Sequence, residues 1–301
     1  MFKHILVPLD GSHLAEAALT PTAEIARKLG ATVTLIHVIE KKASAEVHGD
    51  RHLTDQDEAC EYLGRLAEEA FPPETDVDSH VHTEEVSNVA RSITDHAIEY
   101  APDLIVMCTH GHGGLKEVMA GSIAQQVIGM GKTPVLLLQP DEAGGAYFTF
   151  NRFLVALDCT PEHENSLEVA GGFAQALGAA LHLVNVVQTP ETLTGDRAAI
   201  SRLLPSTSLA ILDLAEEFSR DYLKEKAAIW RARGLQVTTR VRRGDVAKEL
   251  ASEVARADCH MIVMGTHGRA GFDAFWSGST APKIVGHLRI PLLLVPIHKP
   301  G

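Results

Sequence analysis

The stretch Phe2-Lys3-His4-Ile5-Leu6-Val7-Pro8-Leu9-Asp10 returns 148 residues later as Phe150-Asn151-Arg152-Phe153-Leu154-Val155-Ala156-Leu157-Asp158. Leu29-Gly30-Ala31 returns at the same offset as Leu177-Gly178-Ala179. Ile105-Val106-Met107-Cys108-Thr109-His110-Gly111 then matches Ile262-Val263-Met264-Gly265-Thr266-His267-Gly268 at an offset of 157, with six of seven positions identical. Pro134-Val135-Leu136-Leu137-Leu138 keeps that offset against Pro291-Leu292-Leu293-Leu294-Val295. Solenoid units repeat every ~20–50 residues, so this period is that of a duplicated domain, and any fold proposed for one copy must suit both. The offsets place nine extra residues in the second copy, between Gln188 and Ser219. We expect a first domain over residues 1–140, a linker over 141–149 that carries Gly144-Gly145, and a second domain over 150–301.

Short β-branched runs alternate with longer amphipathic segments in each copy. In the first, strands are expected at Ile5–Leu9, Val33–Ile39, Val77–His82, Leu104–Thr109 and Val135–Leu138. Helical periodicity fills His13–Leu29, Thr54–Ala70, Val86–Tyr100 and Ser122–Met130. Near-continuous apolar strands separated by helices belong to a parallel sheet covered on both faces. The expected fold class is therefore α/β: two tandem doubly wound domains, each a five-stranded parallel sheet flanked by helices, flavodoxin-like or Rossmann-like in outline. Right-handed crossovers bring the loops after the strand C-terminal ends onto one rim, where such folds hold ligands.

Charge narrows the ligand. The chain has 27 Lys and Arg against 39 Asp and Glu, a formal net charge of −12, which argues against a dedicated nucleic-acid binder or an adhesin for anionic membranes. No apolar run approaches the roughly 20 residues needed to span a bilayer. The opening Met1-Phe2-Lys3-His4 lacks signal-peptide features, and Cys60, Cys108, Cys159 and Cys259 show no C-x-x-C spacing. A cytoplasmic location is expected. The charge is unevenly shared: residues 1–148 hold 10 basic against 23 acidic side chains (−13), and residues 149–301 hold 17 against 16 (+1). An anionic ligand is expected to favour the second copy.

That copy carries Gly265-Thr266-His267-Gly268, nine residues, then Gly278-Ser279-Thr280, between a strand and the expected final helix. Glycines let backbone approach a ligand closely, and free amides at a helix N-terminus attract anions. The alternative is that these glycines only turn the chain and cap a helix. The strand ending in Val-x-Leu-Asp, the Met-Gly-Thr-His-Gly element and the G-x2-G-x9-G-[ST] spacing resemble the universal stress protein A family, over nearly the whole chain, twice. The resemblance implies ATP, or else ADP or AMP, with Mg²⁺ accompanying a triphosphate. It implies that Asp158 contacts the nucleoside, Val186 the adenine through its backbone, and Gly265 the ribose, while Gly268, Gly278, Ser279 and Thr280 hold phosphates beside Arg269 and His267. In the first copy Asp10, Val38, His110, Gly111, Gly121 and Ser122 match, but Cys108 stands at the first glycine, where its side chain would crowd a ribose.

No base–nucleophile pair accompanies His110 or His267, so no catalytic residue is expected, and slow ATP hydrolysis is the most that the pattern allows. Asp10-Gly11-Ser12-His13 resembles part of a triad, but Ser12 reads as a helix cap, and the second copy has Thr160 there with no histidine following. The Ser-Gly-Gly-x-Asp-Ser loop of ATP-pyrophosphatase-type enzymes is missing after both first strands. His80-Val81-His82 puts two rings on one strand face without a further ligand at a recognisable interval, so no metal is expected. Arg231, Arg233, Arg240, Arg242 and Arg243 are expected to face solvent or an acidic partner, and Thr189–Ser208 to form a mobile loop. The apolar last strands, Val135–Leu138 and Leu292–Val295, are expected to pair the two copies internally, with a homodimer open to them as well. Two functions are carried forward: a nucleotide-responsive stress protein whose bound nucleotide biases conformation or the choice of a protein partner, and a nucleotide-independent interaction scaffold.

Overall fold

The computed structural model describes residues 1–41, 43–109, 123–140, 148–193, 195–266, 288 and 290–297. They divide into two compact units, one built on Met1–Phe148 together with the last strand of the chain, the other on Thr149–Gly265.

In the first unit the elements are β1 (His4–Pro8), α1 (His13–Glu16), α2 (Leu19–Leu29), β2 (Thr32–Glu40), β3 (Glu46–Val47), β4 (Asp50–Arg51), α3 (Gln56–Ala70), β5 (Val77–Val86), α4 (Val89–Glu99), β6 (Leu104–Cys108), α5 (Ile123–Met130) and β7 (Val135–Leu138). The second contains β8 (Arg152–Ala156), a 3₁₀ turn at Pro161–His163, α6 (Asn165–Leu177), β9 (Ala180–Val187), α7 (Gly195–Leu203), α8 (Pro205–Ala232), β10 (Val237–Arg243), α9 (Val246–Ala257) and β11 (Met261–Thr266). The chain's last strand is β12 (Leu292–Pro296).

In the first unit the five strands of the first copy run in the order β5-β2-β1-β6-β7, all parallel. β12 joins this unit antiparallel to β7, with Leu292 opposite Leu137 and Leu294 opposite Val135. The second unit repeats the order as β10-β9-β8-β11, again parallel. Ile5, Leu6 and Val7 on β1, and Phe153, Leu154 and Val155 on β8, are fully buried. Each such side chain contributes about 1.5–3 kcal/mol by leaving water.

The single helix expected over His13–Leu29 is two. An α-helical Ala17 carbonyl would need the N–H of Pro21, which proline lacks, and the chain turns at Ala17-Ala18 before resuming. The small antiparallel hairpin β3–β4 was not read from sequence, because two-residue strands carry no periodicity. The segment Thr189–Ser208, expected as a loop, is largely helical: α7 runs into α8 at Leu204, and Pro205 takes the first position of a 28-residue helix, where its missing N–H costs nothing.

Packing against α8 fixes Gly171 of α6, because a Cβ there would overlap the Trp230 indole. The second unit also buries a charge. Glu253 of α9 is fully inaccessible, with Oε2 accepting from Arg256 Nε (2.9 Å) and Oε1 from His182 Nε2 (2.8 Å). Burial opposes its ionisation, but the hydrogen bonds from Arg256 and His182 outweigh it and hold the carboxyl at about 2, below its ordinary 4.5. A carboxylate depressed on folding stabilises the native state above its unfolded pKa, and that stability is lost as pH falls from about 4.5 towards about 2. Glu253→Gln is therefore expected to cost about 3 kcal/mol near neutrality and to unfold less steeply with acid than the wild type in denaturant titrations. Equal acid dependence of the two proteins would show that Glu253 is not held ionised.

Candidate functional site

The rim of the second unit follows from strand register. Ala156, the last residue of β8, lies opposite Val184 on β9 and Met264 on β11. Asp158 lies two residues beyond Ala156, Val186 two beyond Val184 and Gly265 one beyond Met264, so all three occupy the C-terminal ends of adjacent parallel strands. In the first unit Pro8 lies opposite Ile36 and Leu6 opposite Ile105, which brings Asp10, Val38 and Cys108 to the corresponding ends. His110, Gly111, Gly121, Ser122, His267, Gly268, Arg269, Gly278, Ser279 and Thr280 lie outside the described residues.

Each first strand ends in the same sharp turn. The Leu9 N–H donates to the Ile36 carbonyl and the Leu157 N–H to the Val184 carbonyl, at 2.8 and 2.9 Å, and the backbone then turns left-handed. Gly11 takes φ +91° and Cys159 takes φ +61°. Left-handed backbone costs a Cβ-bearing residue about 1–2 kcal/mol, which glycine escapes, so the second copy stores strain where the first does not. The turn folds each aspartate back: Asp10 Oδ1 accepts from the Ser12 N–H (3.0 Å) and hydroxyl (2.6 Å), and Asp158 Oδ1 accepts from the Thr160 N–H (3.1 Å). Ser12 Oγ caps α1 through the Ala15 N–H at 3.2 Å, while the His13 ring turns away to Asp50 at 3.0 Å. No Ser–His pair forms in that motif.

The two rims then diverge. His37 and Asn185 are equivalent, and each is hydrogen-bonded to the carbonyl of its first strand's last leucine, Leu9 at 2.8 Å and Leu157 at 2.7 Å. The imidazole has a second nitrogen, and His37 Nε2 also meets the Leu53 carbonyl at 2.9 Å. That bond anchors the segment after the β3–β4 hairpin against the Asp10 turn, where a Cβ on Gly11 would come within 2.9 Å of Leu53 Cγ. His48 Nε2 sits 3.7 Å from Asp10 Oδ2, its pKa lowered by burial against the pull of Asp10 and Asp50. Asp10 is 28% exposed as a side chain, while Asp158, which contacts His163 Nδ1, is 52% exposed.

Cys108 fills the position of Gly265. Its Sγ lies 3.8 Å from the Ala15 carbonyl, and burial, then the charge of Asp10, pushes the thiol up to about 12. Burial beside Asp10 thus disfavours the thiolate that a nucleophilic cysteine needs. Cys159 is likewise raised by burial, beside Ser219 of α8. From the same helix Tyr222 donates to Glu164 at 3.0 Å and Lys226 pairs with it at 2.8 Å; burial, then Glu164, raises the Tyr222 phenol.

Arg231, Arg233 and Arg240 are exposed, and acidic partners of the cluster lie within the second unit. Arg242 pairs with Glu249 at 2.7 Å, Arg243 with Asp213 and Glu216 at 2.5 Å each, and Arg231 donates to the Val237 carbonyl at 2.6 Å. His80 and His82 are half-buried rather than exposed, and His96 of α4 meets them. No described helix is long and apolar enough to cross a membrane.

The strand order, its repetition and the paired aspartate turns define a tandem doubly wound α/β protein with one strand-end rim per copy. Residues 1–139 and 149–296 each match the universal stress protein family, and the chain belongs to it. It is 26% identical over 299 residues to a universal stress protein of Mycolicibacterium smegmatis, covering 97% of this chain and 96% of that one. It is 24% identical over 303 residues to one from Mycobacterium tuberculosis, covering 96% of both. A solved universal stress protein structure from Archaeoglobus fulgidus has the same fold, with a TM-score of 0.65 at 18% identity over 98% of this chain and 97% of that one.

The strain at Cys159 gives a direct test. Cys159→Gly is expected to raise unfolding stability by about 1 kcal/mol in urea titrations, less than the full left-handed penalty because glycine loosens the unfolded chain. A loss of stability would show that the thiol's packing against Ser219 outweighs the backbone strain.

Proposed function

We propose that this stress protein binds an adenine nucleotide mainly through its second copy and that occupancy biases its conformation or its choice of partner. The observation that carries the reading is the difference between matched strand ends: Gly265 lies beside a half-exposed Asp158, whereas Cys108 lies beside a more enclosed Asp10. The second rim fits a nucleoside on two counts. Asp158 has a half-exposed carboxylate whose oxygens, already met by the Thr160 N–H and His163, keep further lone pairs for ribose hydroxyl or base amino donors, and position 265 has no side chain to oppose a sugar. The first fits less well, because the Cys108 side chain and the Leu53 segment crowd its turn.

On this reading Asp158, Val186 and Gly265 take the nucleoside, and Gly268, Gly278, Ser279 and Thr280, with His267 and Arg269, take the phosphates. Bound Mg²⁺ would neutralise phosphate charge. Asp10, Val38, His110, Gly111, Gly121 and Ser122 form the weaker counterpart. The near-neutral second half, at +1 against −13, repels a polyphosphate less. Signalling by occupancy is the reading, with slow ATP hydrolysis the most that the sequence pattern allows.

A second reading has its own support. Leu203 is 80% exposed on α7, and Leu214 64% and Phe218 61% on α8. Exposed apolar residues along two successive helices suit a protein-binding scaffold.

Calorimetry with ATP–Mg²⁺ separates the two. Gly268→Val or Gly278→Val is expected to abolish most binding, and Gly111→Val or Gly121→Val to matter less. Weaker loss from the second-copy changes than from the first-copy ones would overturn the asymmetry. Absence of adenine nucleotide from the denatured purified protein, with no thermal shift on adding ATP–Mg²⁺, would favour the scaffold.

A further inference from the structure

We propose that His80, His82 and His96 form a binding site for one divalent transition-metal ion of the zinc class. The site is built by the fold of the first unit. β5 is the edge strand beside β2, and the period of two sends His80 and His82 to the same face. α4 packs on that unit's sheet and presents His96 from its last turn. One ring nitrogen from each histidine lies within 4.8 Å of the other two. His96 Nε2 is 3.0 Å from His82 Nδ1, and the rings of His80 and His96 meet edge-on with centroids 4.8 Å apart.

Two features distinguish this from a packed histidine stack. The Nε2 atom of His80 is buried without a hydrogen-bond partner, and a buried polar atom left unpaired is costly unless something satisfies it. Glu99 Oε2 lies 3.2 Å from His96 Nδ1. A proton held on Nδ1 by that carboxylate leaves the Nε2 lone pair directed at His82, the carboxylate–histidine arrangement that orients metal ligands.

Zinc–nitrogen bonds of about 2.0–2.1 Å in a tetrahedron put ligand nitrogens about 3.4 Å apart, a spacing bracketed by the 3.0 and 4.8 Å seen here. Ring movements on the order of 1 Å close the site. Three imidazoles suit borderline ions such as Zn²⁺ over the oxygen-seeking Ca²⁺ and Mg²⁺, and three protein donors leave a fourth position for water or an external ligand. The −13 charge of the first half concentrates cations around it.

The test uses the full chain, stripped with chelator and free of nucleotide, titrated with Zn²⁺ by calorimetry and with Co²⁺ by visible absorption. One equivalent is expected to bind, raise the melting temperature and give the intense Co²⁺ bands of tetrahedral coordination. His96→Gln, and His80→Gln with His82→Gln, should each weaken binding by more than about tenfold and abolish those bands. His13→Gln, remote from the cluster in sequence and turned to Asp50, should bind as wild type. Should His96→Gln fail to fold, the paired change on the half-buried edge strand carries the test. No saturable equivalent in the wild type, or undiminished binding in the His80/His82 variant, would overturn the proposal.

Discussion

Burial of the first strand of each copy on both faces is the constraint from which the rest follows. Ile5-Leu6-Val7 and Phe153-Leu154-Val155 have no access to water on either side. A strand so placed must have its backbone paired to both neighbours and helices above and below, and parallel pairing then forces crossovers of the same hand. Within each copy the loops after the strand ends consequently reach that copy's own rim. Asp10 with Val38 and Cys108, and Asp158 with Val186 and Gly265, meet there because of how the central strands are buried, before any ligand is considered.

Polar groups inside this apolar frame serve as anchors. His37 and Asn185 each bond the carbonyl at which the first strand ends, a group that would otherwise lie buried after its ladder runs out. His4 meets the Thr34 hydroxyl at 2.8 Å, and His182 bridges Thr238 to Glu253. Several of the chain's sixteen histidines tie adjacent strands and loops together in this way. An imidazole does this well because it carries a polar nitrogen on each side of a flat ring and so reaches two separate groups.

The duplication and the apolar strands were legible in sequence because both are local, period-bearing signals. The strand order follows from them by topology, and the paired aspartates were found by aligning one copy against the other. What escaped depended on contacts between residues far apart in the chain. His96 lies 14 residues beyond His82 on another element, so no ligand interval marks it. The basic run Arg240-Val241-Arg242-Arg243 looked unpaired because its acidic partners are spread over α8 and α9. Nor could composition foresee helix in Thr189–Ser208: its prolines and glycine read as loop residues, but Gly195 opens one helix and Pro205 another.

The two copies show how a duplicated rim diverges while its frame does not. The left-handed turn is kept in both, at Gly11 without strain and at Cys159 with it. What changed is the covering. In the first copy the second imidazole nitrogen of His37 holds the Leu53 segment against the turn, an arrangement that Asn185 does not duplicate, and Cys108 fills the space beside Asp10. In the second copy α8 brings Ser219 and Tyr222 to Cys159 and Glu164, and the Asp158 carboxylate is half open. A loop anchored by buried hydrogen bonds closes one strand end, while a helix packed beside the other leaves it accessible. Substitutions at the rim and in the covering segments can therefore separate the roles of the two copies without disturbing the buried central strands of either.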